Sequence, residues 1–393
     1  MKKLLTVIMA SIAIVSVNAQ SRNVISAYNY GIKPGQTQYE KAKKLIDEAV
    51  QHPETKENDK AWYYRGLIYQ NIFQSKNPED QQLHPDPLRE AFISYQKSIQ
   101  FRDKKAKFVK DAITNLKVAR TQAFNEGIKQ FELKDYEKAA QLFALSAEIG
   151  EYEEIDEVEL AVYFNAALSY EKANKMDEAI KYYQKSLEKN YEPVASVRKI
   201  AEIHLNQGNV DAYVQTLKDG ISKVQDNQIL MLLLIDHYSK ALQYDEALNY
   251  LDKTIAAEPN NKVYYFARGT FYDQKGQPDK ALESYTKALE IDPKYFDATF
   301  NIGVLFFNKG ADYNNKANDL PINKEQEYNE LREKAMSEFA TAAEYFEKCI
   351  EMNPTDLYTL KQLKLIYFQL RNKPGYGDKL KAIEQRILEV ENK

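Results

Sequence analysis

The strongest constraint in this chain is a 34-residue period. Between Lys262 and Tyr295, in KVYYFARGTFYDQKGQPDKALESYTKALEIDPKY, the residues Gly269, Tyr272, Ala281, Tyr285, Ala288 and Pro293 fall at positions 8, 11, 20, 24, 27 and 32 of a 34-residue unit. The apolar spacing reads as two short amphipathic helices, A and B, joined by a tight turn. Gly269 and Ala281 are expected to be small because the two helices of one hairpin cross closely there. Tyr272 and Tyr285 are expected to fill the space between hairpins, and Pro293 to end helix B. One hairpin cannot bury both of its apolar faces, so the stretch predicts copies of itself. Gln228–Asn261 carries Tyr238, Ala247, Leu251 and Pro259 in register, Val194–Asn227 carries Gly208 and Leu217, and Leu160–Pro193 carries Ala167, Tyr170, Ala179, Tyr183 and Ser186. Starts at 160, 194, 228 and 262 keep the period without a gap.

This pattern of small, aromatic and proline positions resembles the tetratricopeptide repeat (TPR). The resemblance implies an all-α fold: a right-handed TPR α-solenoid of antiparallel helix pairs, here with two intra-repeat insertions and helical caps. Residues 20–58 read as an N-terminal helical cap. Within it Arg22 to Tyr30 forms a short helix, Gly31 to Gly35 breaks it, and Tyr39, Ala42, Ile46 and Ala49 follow helix-B spacing. Residues 59–393 read as the solenoid, with units near 59–103, 120–159, 160–193, 194–227, 228–261, 262–295 and 296–354, and a C-terminal cap at 355–393. In the first unit Gly66 at position 8 sets a start at 59 and Ala91 at position 20 a start at 72, so 13 extra residues, SKNPEDQQLHPDP, enter the turn and should project from the solenoid. In the last unit the second half comes 27 residues late, predicting long extensions of both helices with a bend near Pro321. The segment GEYEEID at 150–156 reads as a solvated acidic linker. The C-terminal part, with its long insertion followed by EYFEKCIEMNPTDLYTLKQLKLIYFQL, is similar to exported TPR proteins of Bacteroidetes-type bacteria over roughly the last hundred residues.

The first 19 residues place Lys2 and Lys3 before an apolar run from Leu4 to Val17 and end in Val17-Asn18-Ala19, the layout of a secretory signal peptide. No cysteine stands near the expected cleavage site and no later stretch is apolar enough to span a bilayer, so a periplasmic or secreted protein is expected. The formal net charge of −4 becomes −6 without the leader's two lysines, which argues against nucleic acid as a partner. The single cysteine, Cys349, excludes an intramolecular disulfide and fits a small buried filler at position 27.

The chain shows no catalytic constellation. His52, His84, His204 and His237 have no i,i+4 pairing, and HExxH, GxSxG and a glycine-rich phosphate loop are absent. No metal, cofactor or enzyme activity is expected. The acidic pairs Glu153/Glu154 and Glu157/Glu159 read as solvated charge rather than a metal site. In proteins of the resembled family, positions 2, 5, 6, 9, 12 and 13 of helix A face a concave groove. That resemblance nominates Tyr63, Phe124, Asn125, Phe164, Asn165, Arg198, Phe266, Phe300 and Asn301 as groove residues for an extended peptide. A ring supplies apolar area at low entropy cost and a carboxamide both donates and accepts toward a peptide backbone. The alternative is that position-5 rings pack along the wall of A helices. The lysine and asparagine set with which some TPR domains clamp a carboxylate tail is not reproduced, since positions 5 and 9 are Phe164/Leu168, Leu232/Asp236 and Phe266/Thr270. Two functions remain: a scaffold for a protein or peptide partner of the cell envelope, and a soluble-ligand or glycan-binding accessory.

Overall fold

The structure is a computed structural model that describes residues 21–35, 37–103 and 106–392. The leader expected at 1–19 lies outside the described residues. Among those residues the chain forms nineteen helices and no strand. It divides into two compact units, Met1–Thr216 and Leu217–Lys393.

The first unit opens with α1 (residues 21–31), α2 (Tyr39–Gln51), α3 (Asp59–Gln74) and the short α4 (Pro78–Gln81). It continues through α5 (Pro87–Gln100), α6 (Val109–Glu132), α7 (Tyr136–Gly150), α8 (Ala161–Lys172), α9 (Met176–Glu188) and α10 (Pro193–Asn206). Helix α3 pairs with α5, α6 with α7 and α8 with α9, and each pair packs on the next through consecutive helices. Helix α11 (Val210–Lys223) carries the boundary between the units. The second unit pairs α12 (Gln228–Lys240) with α13 (Tyr244–Ala257), and α14 (Lys262–Gln274) with α15 (Pro278–Ile291). It ends with α16 (Phe296–Asn318) on α17 (Glu325–Met352) and α18 (Leu357–Leu370) on α19 (Tyr376–Glu391).

The turn between helices A and B is one repeated device. In five successive units the residue at position 15 has a left-handed backbone: Lys134 (φ 65°), Asn174 (60°), Gly208 (78°), Leu242 (57°) and Gly276 (67°). The next amide reaches back to the carbonyl at position 11, as Asp135 to Gln130, Lys175 to Tyr170, Asn209 to His204, Gln243 to Tyr238 and Gln277 to Tyr272, at 2.8–2.9 Å. This is the Schellman closure of a helix C-terminus, and it pairs carbonyls that the end of helix A leaves without intrahelical partners. Glycine suits the conformation because it has no Cβ to meet the following carbonyl. Leu242 is the misfit, since its side chain is 71% exposed and gains little from packing. Leu242→Gly should stabilise the second unit by about 0.5–1 kcal/mol, read as a higher urea midpoint at unchanged slope. An unchanged or lower midpoint would show that the left-handed leucine is not a source of strain.

The glycines at position 8 have a different reason. A Cβ built on Gly66 would lie 2.5 Å from the Tyr95 ring, on Gly127 2.9 Å from Phe143, on Gly269 2.5 Å from Tyr285 and on Gly303 3.0 Å from Phe346. Each partner is the position-24 ring of the same hairpin. Tyr285 therefore serves both crossings: its ring lies against Gly269 of its own pair, and it shares a buried cluster with Ala298 and Ile302 of the next helix A, where Asn301 Nδ2 also donates to its hydroxyl at 3.4 Å. Where position 24 is Leu251 rather than a ring, position 8 is Ile235, and both are buried. In these pairs a large residue on one helix is matched by a smaller one on the other, as close packing favours.

The first insertion departs from expectation. Residues 75–87 do not project. Asn77 caps α4, Gln81 Nε2 donates to the Ser75 carbonyl at 2.7 Å, Leu83 packs on the α2–α3 cluster, and the His84 ring stands edge-on to Tyr69 at 5.4 Å. The acids of the segment after α7, Glu151, Glu153 and Asp156, are exposed as expected, but the segment is also anchored. Ile155 is buried, Tyr152 meets the Phe92 ring, and Glu157 pairs with Lys117 at 3.1 Å and Arg120 at 3.0 Å. These cations, Lys117 foremost, hold the Glu157 carboxyl below its usual range. In the last unit both helices are extended as expected, α16 running to Asn318 and α17 starting at Glu325, and the chain turns between them at Pro321.

Candidate protein-docking face

The face that the A helices present is built on the rings at positions 5 and 24. Within each of five hairpins the two rings touch: Tyr63–Tyr95 (6.1 Å), Phe124–Phe143 (5.8 Å), Phe164–Tyr183 (5.3 Å), Phe266–Tyr285 (5.6 Å) and Phe300–Phe346 (5.1 Å between centroids). The position-24 ring is buried, and the position-5 ring lies over it, half-buried. Each sequence-nominated ring thus packs on the wall with one side.

In the first unit the nominated residues stay apart. The Tyr63 ring is stacked under Phe108 at 5.2 Å and its hydroxyl accepts from Asn115, so the start of α6 covers it. Phe124 sits among Ala139, Phe143 and Ala166 while Asn125 is exposed, and Phe164 and Asn165 are half-buried. Arg198 is exposed with Nε 3.8 Å from Glu202, and its neighbour Lys199 is engaged by Glu171 at 3.0 Å.

In the second unit three nominated residues meet. Phe266 of α14 and Phe300 and Asn301 of α16 line a recess of about 190 Å³, together with Phe296 and Tyr358. Phe300 lies 6.2 Å from Phe296 and 5.4 Å from Tyr358, ring to ring. Tyr358 is 62% exposed, so the recess opens onto an accessible aromatic wall. The carboxylates of Asp297 and Asp356 complete the lining. Beneath it, burial pushes the Tyr285 hydroxyl upward in pKa, and it also pushes the Cys349 thiol up to about 12, with Cys349 Sγ 4.0 Å from the Phe296 carbonyl. A protonated, buried thiol is packing material rather than a nucleophile. Phe296 and Tyr358 were absent from the sequence nomination. Tyr358 was legible: with the late second half starting its register at 323, the next unit starts at 357, which puts Tyr358 at groove position 2.

Nothing in this face has the makings of a reaction centre. The four histidines stand in separate places, and no group of three metal-ligating side chains occurs among the described residues. No described helix is long and apolar enough to cross a membrane. What the recess offers is ring surface, one carboxamide and two carboxylates.

These helix pairs define an all-α repeat protein, and comparison with known families gives the repeat its class. A family model described as TPR repeat matches residues 269–310, and one described as tetratricopeptide repeat matches 160–190 and 334–356. The chain carries tetratricopeptide repeats. A TPR repeat-containing protein of Methanocaldococcus jannaschii is 25% identical over 211 residues, 46% of this chain and 36% of its own. The chain thus spans about a third of the length of that relative. Among solved structures, the C-terminal part of a TPR repeat-containing protein from Cytophaga hutchinsonii is 17% identical with a TM-score of 0.42, covering 68% of this chain and 95% of that one. A TPR repeats protein from Bacteroides fragilis is 22% identical with a TM-score of 0.33, covering 63% and 97%. Proteins built of these repeats generally serve as protein–protein interaction scaffolds, bind protein or peptide partners and are typically not enzymes.

Proposed function

We propose that the chain is an exported, non-enzymatic scaffold that holds a protein or peptide of the cell envelope against the A-helix face of its second unit. The observation that carries this reading is the recess, where side chains from three successive hairpins converge on an accessible aromatic wall. Aromatic side chains at such a wall bury large area for few frozen torsions and are the residues over-represented at interfaces. Export rests on the basic–apolar–small layout of the first 19 residues, which predicts a mature chain starting at Gln20.

The test is photocrosslinking in the producing cell, with a benzophenone amino acid placed at Tyr358 and, as a control, at Lys287 on the exposed side of α15. A discrete product is expected from 358 and not from 287, in the fraction outside the cytoplasmic membrane. Products from 287 alone would overturn the docking face, and an unprocessed N-terminus in the cytoplasm would overturn export.

A second reading, a soluble-ligand or glycan-binding accessory, is favoured by one feature of the first unit. The folded-back insertion and the helices α6 and α7 enclose a cleft of about 780 Å³, with Gln74, Gln141, Lys76 and Lys138 above a floor of Phe73 and Leu142. The size is that of small-ligand sites, and the largely amide and charged lining suits a polar ligand. Stabilisation by cell-wall saccharides, with no crosslink from 358, would favour it over the scaffold.

A further inference from the structure

The recess in the second unit carries more chemistry than apolar docking needs. Its rings, Phe266, Phe296, Phe300 and Tyr358, come with the carboxylates of Asp297 and Asp356. Asp356 caps α18 through one oxygen only, Oδ2 accepting from the Thr359 amide at 2.8 Å and its hydroxyl at 2.5 Å, which leaves Oδ1 without a hydrogen bond. Neither Asp297 nor Asp356 is in an ion pair among the described residues. The nearby cations are engaged elsewhere. Lys262 bonds Asp292 at 2.5 Å and lies over the Tyr295 ring, feeling Asp297 only as a lesser charge, while Arg268 pairs with Asp252 and Lys361 with Glu391. The recess is therefore negative at its rim, aromatic in its wall and without a cation of its own.

Resting on the docking reading above, we propose that this recess receives the cationic side chain, arginine or lysine, of the partner segment. The electron-rich faces of the rings attract a positive charge, and the effect grows when water is excluded. The Asp297 carboxylate and Oδ1 of Asp356 supply acceptors for its N–H groups, and charge-assisted bonds of this kind are the stronger class. Arginine fits better than lysine, because a planar guanidinium stacks on a ring while its edge still donates to a carboxylate. The partner is accordingly an extended, basic segment with apolar residues on either side of the charge. The acidic tail that lysine-rich repeats of this class clamp is the opposite chemistry.

The test uses three capped pentapeptides, Gly-Leu-Xaa-Leu-Gly, with arginine, citrulline or glutamate at the centre. Citrulline keeps the shape of arginine and removes its charge. Binding is read to millimolar concentration by 19F resonances of fluorophenylalanine in the full-length mature chain. The arginine peptide should shift a set of resonances saturably, bind at least tenfold tighter than the citrulline peptide, and leave the glutamate peptide without effect. Asp297→Asn should abolish the arginine preference while the circular dichroism spectrum stays unchanged. Equal binding of arginine and citrulline peptides would overturn the cation proposal yet leave aromatic docking standing. Absence of any shift with the arginine peptide, in a protein that still crosslinks from position 358, would overturn the cation proposal alone. Absence of both would remove the docking reading with it.

Discussion

Phe346→Ala should destabilise the second unit by about 3–5 kcal/mol, the range for truncating a fully buried phenylalanine. The ring is 0% exposed and fills the crossing of α16 and α17. It faces the bare backbone at Gly303 on one side and the Phe300 ring at 5.1 Å on another. Neither neighbour can close the gap, because glycine has no side chain and Phe300 is held between Phe296 and Tyr358. Hydrogen exchange is the suitable measurement, since it reads the two units separately. Amides of α16 and α17 should lose roughly two to three orders of magnitude in protection, at about 1.4 kcal/mol per tenfold, while α3 and α5 stay as they were. Tyr358→Ala is the matched control. That ring is mostly exposed, so its loss should change stability by less than about 0.5 kcal/mol and remove docking instead. If Phe346→Ala cost less than about 1 kcal/mol, the ring would not be what joins the two long helices.

Gly269→Ala should cost about 1–3 kcal/mol, although alanine is the better helix former. The added Cβ would stand 2.5 Å from Tyr285 Cε1, and the ring is 1% exposed and has nowhere to go. The cost should fall when the ring is removed at the same time. Tyr285→Leu alone opens a cavity; with Gly269→Ala the methyl group occupies part of it, approaching the arrangement that Ile235 and Leu251 already use one unit earlier. A double-mutant cycle in urea should therefore give a favourable coupling of about 1 kcal/mol or more. Additive losses would mean that the glycine is required for something other than the ring.

Much of the helix-pair architecture could be read from the chain because its causes are local and recur. Gly269, Ala281, Tyr285 and Pro293 each answer to a neighbour within the same 34 residues, so a repeat read once applies to its copies. What could not be read depended on contacts outside the period. The 75–87 segment looks like a projecting polar loop by composition, yet Leu83 and His84 find Tyr69 and the α2–α3 cluster, which no repeat register predicts. The acid-rich stretch after α7 hides one apolar residue, Ile155, and it is that residue which anchors it. For the candidate site, register alone named Phe266, Phe300 and Asn301. It did not reveal that these three converge while Phe124, Phe164 and Arg198 stay apart, because convergence depends on where the 27-residue offset brings α18 and its Tyr358.

The pairing of position 8 with position 24 also bears on how such a chain can be inherited. In four hairpins a glycine at position 8 lies against a ring at position 24, and Ile235 is matched with Leu251, whereas the buried alanines at position 8, Ala167 and Ala201, are matched with Tyr183 and Leu217. A genetic crossover at the Schellman turn would separate the two and set glycine against leucine, or isoleucine against tyrosine. A crossover between hairpins keeps every pair intact. For the glycine–ring and isoleucine–leucine hairpins, exchange at the B-to-A junctions is therefore the route that keeps the packing of each pair.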